Sequence, residues 1–128
     1  MPKKLITFAL ILICLQGCKT TQEDVFTHDI ETNPKPWTHE HFKNDPDNFQ
    51  FGIVSDRTGG RRSGIFSQAT QRLNWLQPEF VLCVGDLING YSEDLDLLND
   101  EWDELQERTE SLEMPFFYVA GNHDISNE

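Results

Sequence analysis

Basic residues are scarce in this chain. Ten lysines and arginines stand against 22 acids, giving a formal net charge of −12, which argues against a nucleic-acid-binding surface, normally basic. Long hydrophobic runs are also missing. The most apolar segment, Leu5 to Leu15, is too short to make a comfortable membrane span. Gly59-Gly60 stands without the further glycines of a dinucleotide-binding fingerprint, so that loop type is excluded. Internal repeats and low-complexity segments are absent. What remains is 38% hydrophobic and 25% charged, a globular composition, and 128 residues allow one domain or part of one.

Residues 1–17 read as a leader. Lys3-Lys4 forms a positive start, an apolar stretch follows, and Leu15-Gln16-Gly17-Cys18 closes it. This resembles a bacterial lipoprotein signal, in which the segment before the cysteine is removed and the cysteine is lipidated. An ordinary secretory signal or a short anchor helix is the plainer alternative. Cys14 suits the pattern poorly, because Ile13 precedes it where a small residue is expected. The resemblance implies a membrane anchor through Cys18 and a place in the cell envelope. Lys19, where aspartate would mark inner-membrane retention, favours the outer membrane. Cleavage removes Cys14 and lipid occupies Cys18. Only Cys83 is then left, with no partner for an intrachain disulfide, and its apolar run makes it a small buried hydrophobe.

Residues 18–48 are polar, carry Pro34, Pro36 and Pro46, and show little periodicity. They read as a tether and lead-in loop, with Trp37 and Phe42 packing on the edge of the domain. His28, His39 and His41 lie in this irregular acidic stretch without carboxylates or cysteines at ligand spacing, and read as solvated.

From residue 49 the pattern sharpens. Phe49–Val54 is a strand ending at Ser55-Asp56. Ile65, Phe66, Ala69, Leu73 and Leu76 fall on one face at about 3.6 residues per turn, which predicts a helix over 65–76 ended by Pro78. Phe80–Val84 is a continuous apolar run, as a central strand covered on both faces requires. A second helix is expected over 94–112, with Leu95, Leu98, Trp102, Leu105 and Leu112 as its core stripe, interrupted by Thr109. Its acids, Glu101 and Glu104 among them, read as a solvated face. Met114-Pro115 then opens a strand over 116–120. Strand, helix, strand, helix, strand is the order of a parallel α/β sheet with right-handed crossovers.

In such a sheet the carboxyl ends of the strands share one edge, and ligands bind there. Asp56, Asp86 and the run Asn122-His123-Asp124 all stand at strand ends, one βαβ step apart. Carboxylate, amide and imidazole donors without thiolate suit manganese, iron, magnesium or zinc at an open site. Gly85 and Gly121 let the backbone turn just before each ligand.

Gly85-Asp86 and Gly121-Asn122-His123-Asp124, each after a buried strand, resemble the calcineurin-like metallophosphoesterase family over residues 49–128. The resemblance implies hydrolysis of a phosphate ester with two divalent metal ions. In it Asp56 binds the first ion, Asp86 bridges the two and Asn122 binds the second. His123 would contact the phosphate and protonate the leaving oxygen, while Asp124 orients His123. Two cations about 3.5–4 Å apart clamp a phosphoryl oxygen and acidify a bridging water.

Two departures from the family pattern stand out. Its first motif, Asp-x-His, is here Asp56-Arg57-Thr58, and a hydroxyl is a poorer ligand than imidazole. The family's second half, a further sheet with more histidine ligands, is expected to be absent from this chain. The chain is therefore read as the amino-terminal, parallel β-α-β-α-β half of the layered sandwich, with little activity by itself. The alternative is a non-catalytic lipoprotein that keeps the half-fold as a binding module. Arg57, Arg61 and Arg62 follow the first strand in a glycine-rich loop, and Arg57 and Arg61 are candidates to grip a substrate phosphate.

Overall fold

The computed structural model describes residues 26–43, 45 and 47–125; the leader pattern and Cys18 lie outside the described residues. The elements are β1 (Phe51–Val54), α1 (Ile65–Leu76), β2 (Phe80–Cys83), α2 (Leu95–Thr109), β3 (Phe116–Phe117) and α3 (Asn122–Ile125). The three strands form one parallel sheet in the order β1-β2-β3. This is the expected α/β architecture, consistent with part of a metallophosphoesterase domain.

Two right-handed crossovers that step in the same direction put both helices on one face of the sheet. That face holds the core. Val81, Cys83 and Phe116 from the strands meet Leu105 of α2, with Leu87, Leu112 and Met114 completing the cluster and Phe66, Leu73 and Trp102 packed against it. On the opposite face Phe49, Phe51, Ile53 and Val84 are each more than half exposed. The expectation that β2 is covered on both faces therefore needs correction: Val84 is open and Leu82 only half-buried. Part of this second face is covered from upstream. Trp37 bridges Phe117 in antiparallel fashion, Thr38 N–H donates to the Phe116 carbonyl at 3.1 Å, and Tyr118 N–H donates to the Pro36 carbonyl at 2.8 Å. Phe26 and Phe42 join the rings of Trp37 and Phe117.

Local chemistry sets the helix ends. Gln77 takes a left-handed φ of 54° and returns its N–H to the Leu73 carbonyl, closing α1 before Pro78. The Asp94 side chain caps α2 by accepting from Asp96 N and Leu97 N. α2 stops at Thr109, three residues short of the expected Leu112, yet Leu112 still turns back into the core at 3% exposure. Leu95, expected in the core stripe, is 71% exposed, and the outer members of the α1 face, Ile65 and Leu76, are likewise exposed. Thr109, the interruption in the stripe, is fully buried. Its hydroxyl lies within hydrogen-bond reach of the Leu105 and Gln106 carbonyls and of Tyr118 Oη at 2.6 Å. A buried threonine is tolerated there because its polar group is satisfied. Burial pushes the Tyr118 phenol up from its ordinary pKa, against the opposing effect of the Thr109 bond.

β3 is shorter than its apolar run. Beyond Phe117 the chain leaves the ladder, and the Val119 amide meets the Cys83 sulfur at 2.9 Å.

Candidate active site

Parallel pairing of Val54 with Cys83, and of Leu82 with Phe117, sets the three strand ends side by side. Their loops are then joined backbone to backbone. Asp56 N–H donates to the Gly85 carbonyl at 3.3 Å, and Thr58 N–H to the Asp86 carbonyl at 3.2 Å. His123 N–H donates to Asp86 Oδ1 at 3.2 Å. Asp86 is thus central, touched by both neighbouring strand ends.

Gly85 and Gly121 make this approach possible. A β-carbon on Gly85 would come within 2.5 Å of Gly121 Cα, and one on Gly121 within 2.5 Å of the Asp86 nitrogen. The glycines are needed because two strand ends pass each other. A β-carbon would meet the neighbouring backbone, which is a tighter constraint than the sharp turn expected from sequence. Asp56 and Asp86 themselves hold left-handed φ values of 49° and 56°. Aspartate tolerates that region better than most residues, though at a cost.

Each candidate residue has a definite place. Asp56 is exposed and accepts from the Ser55 hydroxyl. Asn122 donates through Nδ2 to Tyr91 Oη at 2.6 Å. His123 Nδ1 lies 2.7 Å from the Asn89 carbonyl, and its ring stands edge-on to Tyr91 with centroids 4.6 Å apart. Asp124 departs from the implied role. Its Oδ1 accepts from Leu87 N at 2.8 Å and Ile88 N at 3.1 Å, and its Oδ2 from Gly121 N at 2.8 Å. The carboxylate ties two loops together by their amides, and it is the Asn89 carbonyl that holds the histidine ring.

Thr58, which stands where the family pattern has histidine, is buried, and its hydroxyl donates to the Asp86 carbonyl at 3.2 Å. It pins the first strand end to the second. Arg57 is also buried, contrary to a free phosphate grip. Its Nη1 donates to the Leu87 carbonyl at 2.9 Å, and its guanidinium lies over Phe66. Nη2 lies 2.9 Å from Glu104 Oε2, a contact of opposite charges whose N–H alignment falls short of a hydrogen bond. Arg61 and Arg108 converge on the other Glu104 oxygen. Burial pushes the Glu104 carboxyl up, but the close contacts and positive charges of Arg61 and Arg57 outweigh it and hold the group below the usual carboxylate range.

Two acids of the supposed solvated face therefore serve the site. Glu104 anchors Arg57, while Glu101 accepts from Asn89 Nδ2 at 2.6 Å and Gly90 N at 3.1 Å. The available signal was their position. Glu101, Glu104 and Arg108 follow one another at helical spacing beside the Trp102 and Leu105 stripe, where a polar side chain borders the core.

A model of the calcineurin-like phosphoesterase family matches residues 24–128. The chain belongs to that family. Comparison with curated proteins and with solved structures returned no match. Membership carries hydrolysis of phosphate esters as the family's chemistry, and the family generally uses divalent metals. Asp56, Asp86 and Asn122 fit a divalent cation by chemistry, as hard oxygen donors gathered on one sheet edge. Among the described residues, no three histidine, cysteine, aspartate or glutamate side chains converge to hold a metal ion.

Proposed function

We propose that this chain carries part of the catalytic site for divalent-metal-dependent hydrolysis of a phosphate ester. The observation that carries the reading is the contact of Asp86 with both neighbouring strand ends, through the Thr58 amide on one side and the His123 amide on the other. Asp56, Asp86 and Asn122 would hold the metal. When bound, a divalent cation withdraws charge from phosphoryl oxygens and so favours attack at phosphorus.

The chain's own residues supply the rest. A histidine nitrogen bonded to a carbonyl must carry hydrogen, so the Asn89 contact assigns the proton of His123 Nδ1. Nε2 is then the free nitrogen, and it gives a proton to the leaving oxygen from the imidazolium form of the ring, which returns to the neutral Nδ1–H tautomer. Tyr91 holds the Asn122 amide through its nitrogen, leaving Oδ1 as the atom offered to a cation. Asp124 acts as a positioning residue for the loops that carry Asn89 and Asn122. The test is turnover of chromogenic phosphodiesters and monoesters by the natural full-length product with manganese. Asp86→Asn abolishes turnover; retention of wild-type rates by that variant would discard the reading.

A second reading is a binding module without turnover, and the engaged Thr58 hydroxyl favours it. Manganese binding without turnover in the natural product would select it. The amino-terminal pattern extends either reading to a lipid-anchored envelope protein. Fatty-acid labelling should disappear in Cys18→Ala, and persistent labelling would rule the anchor out.

A further inference from the structure

Four of the chain's ten lysines and arginines line one cleft of about 300 Å³. These are Arg57, Arg61, Arg62 and Arg108, gathered in a protein whose formal charge is −12. The volume is at the small end for ligand sites. Glu104 neutralises one of the three guanidiniums that touch it. The Arg62 side chain makes no hydrogen bond or ion pair with the described residues. The cleft begins at Ser55 and Asp56, beside the candidate metal edge, and includes the first turn of α1. That helix starts at Gly64 with no side-chain cap, so its leading amides present a partial positive charge. The Arg57 side chain, 4% exposed, forms part of the cleft wall and is held there by the Leu87 carbonyl and Glu104.

We propose that this cleft is a subsite for a second phosphate group, so that the preferred substrate carries one phosphate beside the one that is cleaved. The inference rests on the phosphoesterase reading for the identity of the substrate, but anion binding by the cleft stands apart from it. Arg62 supplies the free fork, Arg57, Arg61 and Arg108 are held by Glu104 as fixed positive charge, and the α1 amides close the end. Asp56 at the mouth separates this subsite from the reacting phosphate.

The test uses the full chain in EDTA at low salt, with imidodiphosphate and orthophosphate as probes and calorimetric titration as the readout. Imidodiphosphate binds the wild type, and Arg62→Ala weakens it about tenfold, the loss expected for one charge-assisted contact. Arg72→Ala removes the same charge from the exposed side of α1 and changes affinity less than twofold. No binding by the wild type, or equal losses in the two variants, would overturn the subsite. In the natural product, Arg62→Ala raises KM for a diphosphate ester and leaves that of a matched monophosphate ester unchanged. An equal rise for both would overturn the assignment to a second phosphate. Failure of the phosphoesterase reading would show instead as turnover that survives Asp86→Asn.

Discussion

Asp124 offers the sharpest test of how the site is held. Its carboxylate accepts three amide hydrogens, from Leu87, Ile88 and Gly121. Alanine would delete all three acceptors. Leu87 and Ile88 are each 1% exposed, so water cannot readily replace the carboxylate at their amides, whereas the partly exposed Gly121 amide can be resolvated. A hydrogen bond to a charged group contributes about 1.5–3 kcal/mol, and three bonds sharing one carboxylate add less than their sum. Counting the two buried amides fully gives a loss of about 3–6 kcal/mol for Asp124→Ala. That is a large share of the roughly 5–15 kcal/mol that holds a typical domain together. Asp124→Asn keeps an oxygen for Leu87 and Ile88 and loses the Gly121 bond, so about 1–2 kcal/mol is expected. Urea unfolding followed by tryptophan fluorescence measures both, with the denaturant slope unchanged if only the native contacts differ. A loss under 1 kcal/mol in Asp124→Ala would refute the reasoning.

Gly85→Ala should destabilise by about 3 kcal/mol, combining a φ of 94° with a methyl group driven against Gly121; a chemical-denaturation difference below 1 kcal/mol would contradict the close approach. Glu104 is held ionised below its ordinary pKa of 4.5 by Arg61 and Arg57, against burial. A depressed carboxyl stabilises the fold above its unfolded pKa, and that contribution is lost as pH falls through the folded value. The stability gap between wild type and Glu104→Gln should therefore narrow on acidification below about pH 4.5, and a constant gap from pH 6 to pH 3 would oppose this. Asp56→Gly should leave stability unchanged or raise it by up to about 1 kcal/mol by relieving the left-handed backbone. Manganese affinity, read by electron paramagnetic resonance, should fall at least about tenfold; the opposite pattern would make Asp56 a structural turn residue.

The element order and the positions of the strand ends were legible because they depend on local periodicity. Helix α1 falls on the expected residues, and Asp56, Asp86 and Asn122 stand at one edge because a parallel sheet with right-handed crossovers leaves few other arrangements. What periodicity cannot report is where a polar side chain turns once distant segments meet. Thr58 is a weak ligand type in the sequence, and only its register against β2 reveals that its hydroxyl serves the Asp86 carbonyl. Arg57 looks like a free cation in a glycine-rich loop until α2 brings Glu104 beside it. Thr109 breaks the apolar stripe on paper, while in space Tyr118 and two carbonyls satisfy it. Each of these depends on a partner that reaches the side chain only once the chain has folded back on itself, which composition and spacing do not encode.

The backbone at the site gives an independent reason to regard it as chemical. Asp56 and Asp86 both occupy left-handed φ, which costs roughly 1–2 kcal/mol for a residue with a β-carbon. Glycine would occupy either position more cheaply, and glycine already precedes Asp86. Around them the loops are tied by Asp56 N–H to Gly85, Thr58 to Asp86, and His123 N–H to Asp86. The first two of those bonds use only the aspartate backbones, so glycine could form them too. Asp86 uses one carboxylate oxygen on the His123 amide, and Asp56 uses one on the neighbouring Ser55 hydroxyl. Neither contact explains why a strained aspartate stands at both adjacent strand ends. A requirement for two carboxylates on one edge does explain it, and the proposed cation site would impose that requirement where folding does not.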